Sequence, residues 1–281
     1  MGKIASIDIG SNTLRLLIAE KSAQGFYPLC RDREIVRLGR NFYPDRGLSA
    51  RAIESAVEVL KRFKIRADHE GVTNIFAVGT GVLREAQNIA TFLDRIEKET
   101  RLPVRIISGL EEARLMAKGV LSMFPASTRE TVILDMGGGS TEFVFMKEGQ
   151  MADRLSLPLG VVALTERFLK SDPPSPDESE LLKGHCQNIL KKNLMNNDSI
   201  KNLIGTAGTV TTLAAMVKKL FDYDPDQING TVLTKDRLRQ LSEEIFALPL
   251  DQRAKLAGLE PGRADVIAAG LLLVLEILDH F

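Results

Sequence analysis

Two widely separated segments of this chain repeat one another, and that echo constrains the fold more than any other feature. Ile7-Asp8-Ile9-Gly10-Ser11-Asn12-Thr13 and Leu134-Asp135-Met136-Gly137-Gly138-Gly139-Ser140-Thr141 each read as strand, aspartate, glycine-bearing bend with hydroxyl residues, and strand. Each stands at the head of three short apolar runs, Lys3–Ile9, 14–20 and 26–31 in the first half, and 131–134, 142–147 and Gln150–Leu157 in the second. Short alternating runs joined by tight turns predict antiparallel meanders. After each meander, longer amphipathic stretches alternate with further apolar runs, as in an α/β protein. The first half predicts a helix over about 49–68 capped by Ser49, a strand over 74–78, a helix over about 88–100, a strand over 104–107 and a helix opening at Gly109. Asp172-Pro173-Pro174-Ser175-Pro176-Asp177 predicts a loop that caps a helix over about 177–192. The chain therefore reads as two lobes, 1–122 and 123–281, divided near 119–129 where Pro125 interrupts a helical stretch. A C-terminal helix over 264–281 is expected to pack back on the first lobe.

A length of 281 residues suits two lobes better than one core. Lys and Arg balance Asp and Glu at 37 each, so the broad basic face that duplex DNA requires is not expected, and a polyanion has to be met by local geometry. The apolar run 267–275 is too short to span a bilayer and no membrane segment is expected. The sequence opens directly on a strand, without the apolar core of a signal peptide. Cys30 and Cys186 stand apart from each other and from histidine, as packed thiols in a reducing, cytoplasmic compartment would. His69, His185 and His280 are isolated, and no role is expected for them.

The bends carry chemistry suited to phosphate. Amides in a tight turn converge on an anion, and glycine clears the approach. Gly10, Ser11, Asn12 and Thr13 in the first bend, and Gly137, Gly138, Gly139, Ser140 and Thr141 in the second, are the candidate phosphate-binding residues. A third segment, Ile204-Gly205-Thr206-Ala207-Gly208-Thr209, opens a helix and adds Gly208 and Thr209. An aspartate at each strand end repels phosphate, which calls for a hydrated Mg²⁺ between them, with Mn²⁺ as a substitute. One such bend alone reads equally well as an ordinary hairpin turn.

Six segments occur in order: Asp8-x-Gly-Ser-Asn-Thr, Leu83-Arg84-Glu85-Ala86 with Asn88, Ile107-Ser108-Gly109-x-Glu111-Glu112-Ala113-Arg114-Leu115, Asp135-x-Gly-Gly-Gly-Ser-Thr-Glu142, Gly205-Thr-Ala-Gly-Thr209, and Gly262-Arg263-Ala264-Asp265-Val266. Together they resemble the exopolyphosphatase and guanosine pentaphosphate phosphohydrolase family, within the actin, Hsp70 and sugar-kinase superfamily, over nearly the whole chain. The resemblance implies an α/β, two-lobed actin-like (ribonuclease H-like) fold, each lobe a mixed sheet flanked by helices, with the active site in the interlobe cleft. It implies Glu112 as the catalytic base, Arg84 as a phosphate contact, and Asp135 and Glu142 as further active-site acids; Asp8, Asp135 and Glu142 are the expected metal ligands. The implied substrate is inorganic polyphosphate or a polyphosphorylated guanosine nucleotide, and a homodimer is left open.

A glutamate in a first helical turn also complements the helix dipole, and Glu111 is read that way. Arg263 and Asp265 stay divided between an ion pair and a site. Gly81 stands where relatives carry a polar side chain, which removes one expected phosphate contact. A superfamily kinase for a sugar or acid, and a noncatalytic nucleotide sensor, are the competing readings.

Overall fold

The computed structural model describes residues 2–23, 25–40, 42–124, 130–148, 150–194, 200, 202–260 and 262–281. It divides into two units, Met1–Gly109 and Leu110–Phe281.

In the first unit, β1 (Lys3–Ile9), β2 (Thr13–Ser22) and β3 (Gly25–Ile35) form the expected meander, followed by α1 (Ala50–His69), β4 (Asn74–Gly79), a 3-10 turn at Gly81–Arg84, α2 (Ile89–Thr100) and β5 (Val104–Ile106). The sheet order is β3-β2-β1-β4-β5, with β4 and β5 added in parallel. Strand alternation sends Ala5, Ile7, Ile9, Leu14, Leu16 and Ile18 to one face, where they pack with Ala56, Leu60 and Phe63 of α1 and Phe92 and Ile96 of α2. Ser49 caps α1 by accepting from the Ala52 amide, as its position before an amphipathic run predicts.

The second unit contains α3 (Gly109–Met123), which begins at the last residue of the first, then β6 (Thr131–Met136), β7 (Thr141–Lys147), β8 (Gln150–Leu157), α4 (Val161–Phe168), α5 (Pro176–Asn193), β9 (Asn202–Thr206), α6 (Ala207–Val217), α7 (Pro225–Ile228), α8 (Lys235–Ala247), α9 (Leu250–Arg253) and α10 (Ile267–His280). Its sheet order is β8-β7-β6-β9. Both sheets are mixed and flanked by helices, which is the fold class expected.

The division falls at Gly109/Leu110 rather than at 122/123. The reason is tertiary: Ala113, Ala117 and Val120 of α3 pack on Ile133 of β6 and Val144 and Met146 of β7, so α3 belongs to the second sheet. Pro125 lies outside the described residues. The C-terminal helix also differs from expectation. It is apolar from Ile267 to Leu275, and it packs on α4, α5, α6 and α8 within the second unit. Leu272, Leu273 and Ile277 enter one core and Ile267, Ala268 and Leu271 another, each buried leucine contributing about 2 kcal/mol.

Among the described residues no helix is long and apolar enough to cross a membrane. Cys186 is buried, which pushes its thiol up to about 12, and Cys30 is half-buried; both are free.

Candidate functional site

The register of the second sheet assembles most of the candidate acids. Asp135 on β6 lies directly opposite Glu142 on β7, Thr206 of β9 pairs with Asp135, and Ser156 of β8 pairs with Glu142. One row of polar side chains thus crosses all four strands on one face. That face also carries Ile133, Val144 and Met146, on which α3 packs. Because α3 opens at Gly109, its first turn delivers Glu112 to the acidic pair: Glu112 and Asp135 both act on the Glu142 carboxyl.

Glu142 is fully buried. Its Oε1 accepts hydrogen bonds from Ser140 Oγ at 2.6 Å and Ser156 Oγ at 2.9 Å. Burial first, then the charges of Glu112 and Asp135, push its pKa up to about 8 against the partial relief of the two hydroxyls. Three acids gathered this way require a proton or a cation. The donors are all oxygen, which suits a hard cation. No group of three His, Cys, Asp or Glu among the described residues closes into a ready metal cage. An ion at Asp135 and Glu142 would therefore keep much of its water, as Mg²⁺ commonly does.

The adjacent bend is fixed by its carbonyls. Gly137 N donates to Ser140 O at 2.9 Å, closing the turn. Val161 N donates to Gly137 O at 3.1 Å, and Val162 N to Gly138 O at 3.0 Å, so the first amides of α4 hold the bend from behind. In a trans peptide the N–H points opposite to the C=O. The amides of Gly138 and Gly139 are thereby turned away from α4, in the direction an anion would approach. This docking requires Gly160, where a Cβ would lie 2.2 Å from the Gly139 carbonyl carbon and 2.3 Å from Gly138 O. Sequence reasoning missed Gly160, whose only signal is a glycine just before an apolar helical run. Thr141, expected to face phosphate, is buried and donates its hydroxyl to Leu159 O at 2.6 Å, so its side chain secures the approach to α4 instead.

The third glycine segment forms the junction of β9 and α6. Gly208 packs so closely under Arg263 that a Cβ there would lie 1.9 Å from the guanidinium. Arg263 is buried and its Nε donates to Glu260 Oε2 at 2.6 Å, which places a cation over the first turn of α6. The loop carrying it is held by Arg253, also buried, whose Nη1 donates to Ala264 O at 3.0 Å. Thr209 is buried too: its methyl packs where Gly270 of α10 leaves room, and its hydroxyl faces Met136 O at 3.5 Å. Of the two residues expected to contact phosphate here, Gly208 stands beside a buried arginine and Thr209 serves packing.

In the first unit, the corresponding bend closes identically, Gly10 N donating to Thr13 O at 3.1 Å. Its electrostatics are opposite. Asp8 lies across from Arg15 and accepts from Arg15 Nη1 at 2.8 Å, whereas the matching position in the second hairpin is Glu142. Asp8, expected to ligate a metal, lies in an ion pair with Arg15. Ser11 is buried and its Oγ accepts from Val82 N at 3.0 Å, tying the bend to the turn that ends in Arg84. Gly81 has φ +58, and a Cβ there would lie 2.0 Å from Ser11 Oγ, so this hydroxyl occupies the space of the missing side chain. Thr13 is buried, and Asn12 has a buried amide nitrogen without a hydrogen-bond partner among the described residues. Asn88, quoted with the Arg84 motif, is structural: its side chain accepts from Leu48 N at 2.8 Å and donates to Leu48 O at 2.9 Å.

Comparison with known proteins bears on the whole chain. A model described as the Ppx/GppA phosphatase family matches residues 17–281. The bifunctional 3-dehydroquinate synthase/phosphatase of Fusobacterium nucleatum is 33% identical over 99% of this chain, which spans only 43% of that protein's length. Exopolyphosphatase 2 of Mycobacterium tuberculosis is 30% identical over 98% of this chain and 89% of its own. Among solved structures, a PPX-GPPA enzyme of Aquifex aeolicus is similar with TM-score 0.83 and 34% identity, covering 100% of this chain and 93% of that one. An exopolyphosphatase from Cytophaga hutchinsonii has TM-score 0.87 and 26% identity over 99% of this chain and 90% of that one.

Proposed function

The chain belongs to the Ppx/GppA phosphatase family, and on that premise we propose that it releases the terminal phosphate of inorganic polyphosphate by Mg²⁺-assisted attack of water. The observation that carries this reading is the juxtaposition, in one unit, of the Asp135/Glu142 pair, Glu112 in the first turn of α3, and a glycine bend with outward amides.

Glu112 accepts a proton from the attacking water. The water oxygen bonds to the terminal phosphorus as the bridging P–O bond breaks, and the electron pair leaves on the shortened chain. The amides of Gly138 and Gly139 receive non-bridging oxygens as their charge grows. Asp135 and Glu142 are the residues that would hold a Mg²⁺ ion, which would supply charge neutralisation at the phosphate. Ser140 and Ser156 orient Glu142. Arg84 is assigned a phosphate contact by the motif it stands in. Asp8 orients Arg15 rather than ligating metal, in keeping with their ion pair.

Phosphate release from polyphosphate with Mg²⁺ and no second substrate tests the proposal. Release that depends on the metal and is lost in Glu112→Gln supports it; no release, together with ATP-dependent phosphorylation of a metabolite, replaces it with the kinase reading. Guanosine pentaphosphate presents a similar terminal phosphate, and the ratio of catalytic efficiencies for the two substrates assigns the preference.

A further inference from the structure

Three chain segments of the second unit meet at one buried guanidinium, that of Arg253 at the end of α9. Its Nε donates to Ile245 O at 3.2 Å and its Nη2 to Leu248 O at 2.9 Å, carbonyls at the end of α8 that have no amide left to pair with inside the helix. Its Nη1 donates to Ala264 O at 3.0 Å, on the loop before α10. Nη2 also stands 3.4 Å from Asp172 Oδ1, and the Asp172 carboxylate accepts from Leu250 N at 2.9 Å, which ties in the loop before α5. Burial holds the Arg253 guanidinium below its ordinary pKa, against the charges of Asp172 and Asp265. An apolar side chain of the same volume would fill this space without desolvating a charge. It could not hold three carbonyls in fixed directions, which a planar fork of five donors does.

The carbonyl that matters is that of Ala264, because its neighbour Arg263 is packed with little tolerance. A Cβ on Gly208 would lie 1.9 Å from Arg263 Nη2, 2.3 Å from Cζ and 2.6 Å from Nη1, so the guanidinium rests on the β9–α6 turn itself. The same loop is docked a second time at Gly258, with φ +79, where a Cβ would lie 2.3 Å from Ala215 O of α6. At that turn Thr206 pairs in register with Asp135, and the Thr209 hydroxyl faces Met136 O at 3.5 Å. Arg263 thus carries its charge at the level of Asp135, at the end of the row of acids. We infer that Arg253, steadied by Asp172, is a positioning residue for the reaction: it fixes the loop before α10 so that Arg263 keeps its cation against the β9–α6 turn. The inference rests on the proposed activity and adds to it a group that touches neither substrate nor metal and acts through Arg263.

The test is a double-mutant cycle in phosphate release from polyphosphate, run on protein shown by circular dichroism to be folded at the assay temperature. Arg253→Met should lower kcat by a factor of about 10 to 10² with KM changed by less than about threefold, as a small misplacement at a distance from the chemistry does. In an Arg263→Met background the same substitution should change kcat by less than about twofold. Arg253→Lys keeps the charge without the fork and should recover only part of the loss. Asp172→Asn, at a half-exposed position, covers the case in which Arg253→Met does not fold: kcat should fall by a factor of about 2 to 3, and not at all when Arg263 is already methionine. A readout free of activity is the amide resonance of Gly208, which Arg253→Met or Asp172→Asn should move in the direction that Arg263→Met moves it. Losses that add in the cycle, wild-type kcat in a folded Arg253→Met protein, or a Gly208 amide that stays in place would overturn the inference. A wild-type protein that releases no phosphate refutes the catalytic reading instead, and the Gly208 resonance still decides whether Arg253 places Arg263.

Discussion

Replacing Glu142 with glutamine isolates the electrostatic cost of the acidic pair. The substitution keeps an oxygen where Ser140 and Ser156 donate and removes the titratable proton. In the folded chain the carboxyl titrates near 8, against an ordinary value of 4.5. Between those values the folded state binds more protons than the unfolded one, so the stabilisation is complete below about pH 4.5 and is lost as pH rises through about 8. At about 1.4 kcal/mol per pKa unit the loss reaches about 5 kcal/mol, part of it shared with Glu112 and Asp135, which repel the same charge. For a unit of this size that corresponds to a melting temperature lower by about 15 °C. The assay is thermal unfolding in a chelator at pH 5 and pH 8.5. Wild type and Glu142→Gln should melt together at the lower pH, and the variant should be the more stable at the higher. Adding Mg²⁺ at pH 8.5 should restore the wild type and leave the variant unmoved. Parallel pH profiles for the two proteins would refute the claim that Glu142 is held against its own charge.

Glu112→Gln should lower kcat by a factor of about 10² to 10⁴ while KM changes by less than about threefold, as steady-state phosphate release will show. Gly160→Ala forces a methyl into the bend of residues 137–140 and should cost about 1–3 kcal/mol in denaturant unfolding, with a loss of activity larger than the loss of folded protein. Arg253→Leu removes the donor to the carbonyls of Ile245, Leu248 and Ala264 and should lower stability by about 3 kcal/mol or more, measured by urea unfolding.

The strands and most helices were legible because local pattern decides them. Alternation sets β1 to β3, and the loop of residues 172–177 announces α5, whose start the structure fixes with a capping box between Ser175 and Glu178. The acids of the second hairpin were legible as well, since a strand–bend–strand unit fixes what stands opposite what. What escaped is what depends on contact between elements distant in sequence. Whether α3 serves the first or the second sheet is settled by Ile133 and Val144, and nothing within 109–123 encodes it. Ser11 and Thr141 have the same hydroxyls whether they meet a ligand or a backbone atom, and only the fold assigns them to Val82 N and Leu159 O. The role of Gly160 is likewise defined by atoms of Gly138 and Gly139. The opposite characters of Arg15 and Glu142 are plain in the sequence, because each follows its aspartate at the same spacing.

That last pair shows how a repeated unit acquires two trades. Both bends close with the same hydrogen bond, and the sign of the residue seven places after each aspartate decides whether the copy holds its own counter-charge, as at Arg15, or gathers a second acid, as at Glu142. A charge-swapped protein, with Arg15 made acidic and Glu142 made basic, would on this account exchange the two appetites between its halves, and calorimetry with Mg²⁺ would find the heat of binding moved from the second half to the first.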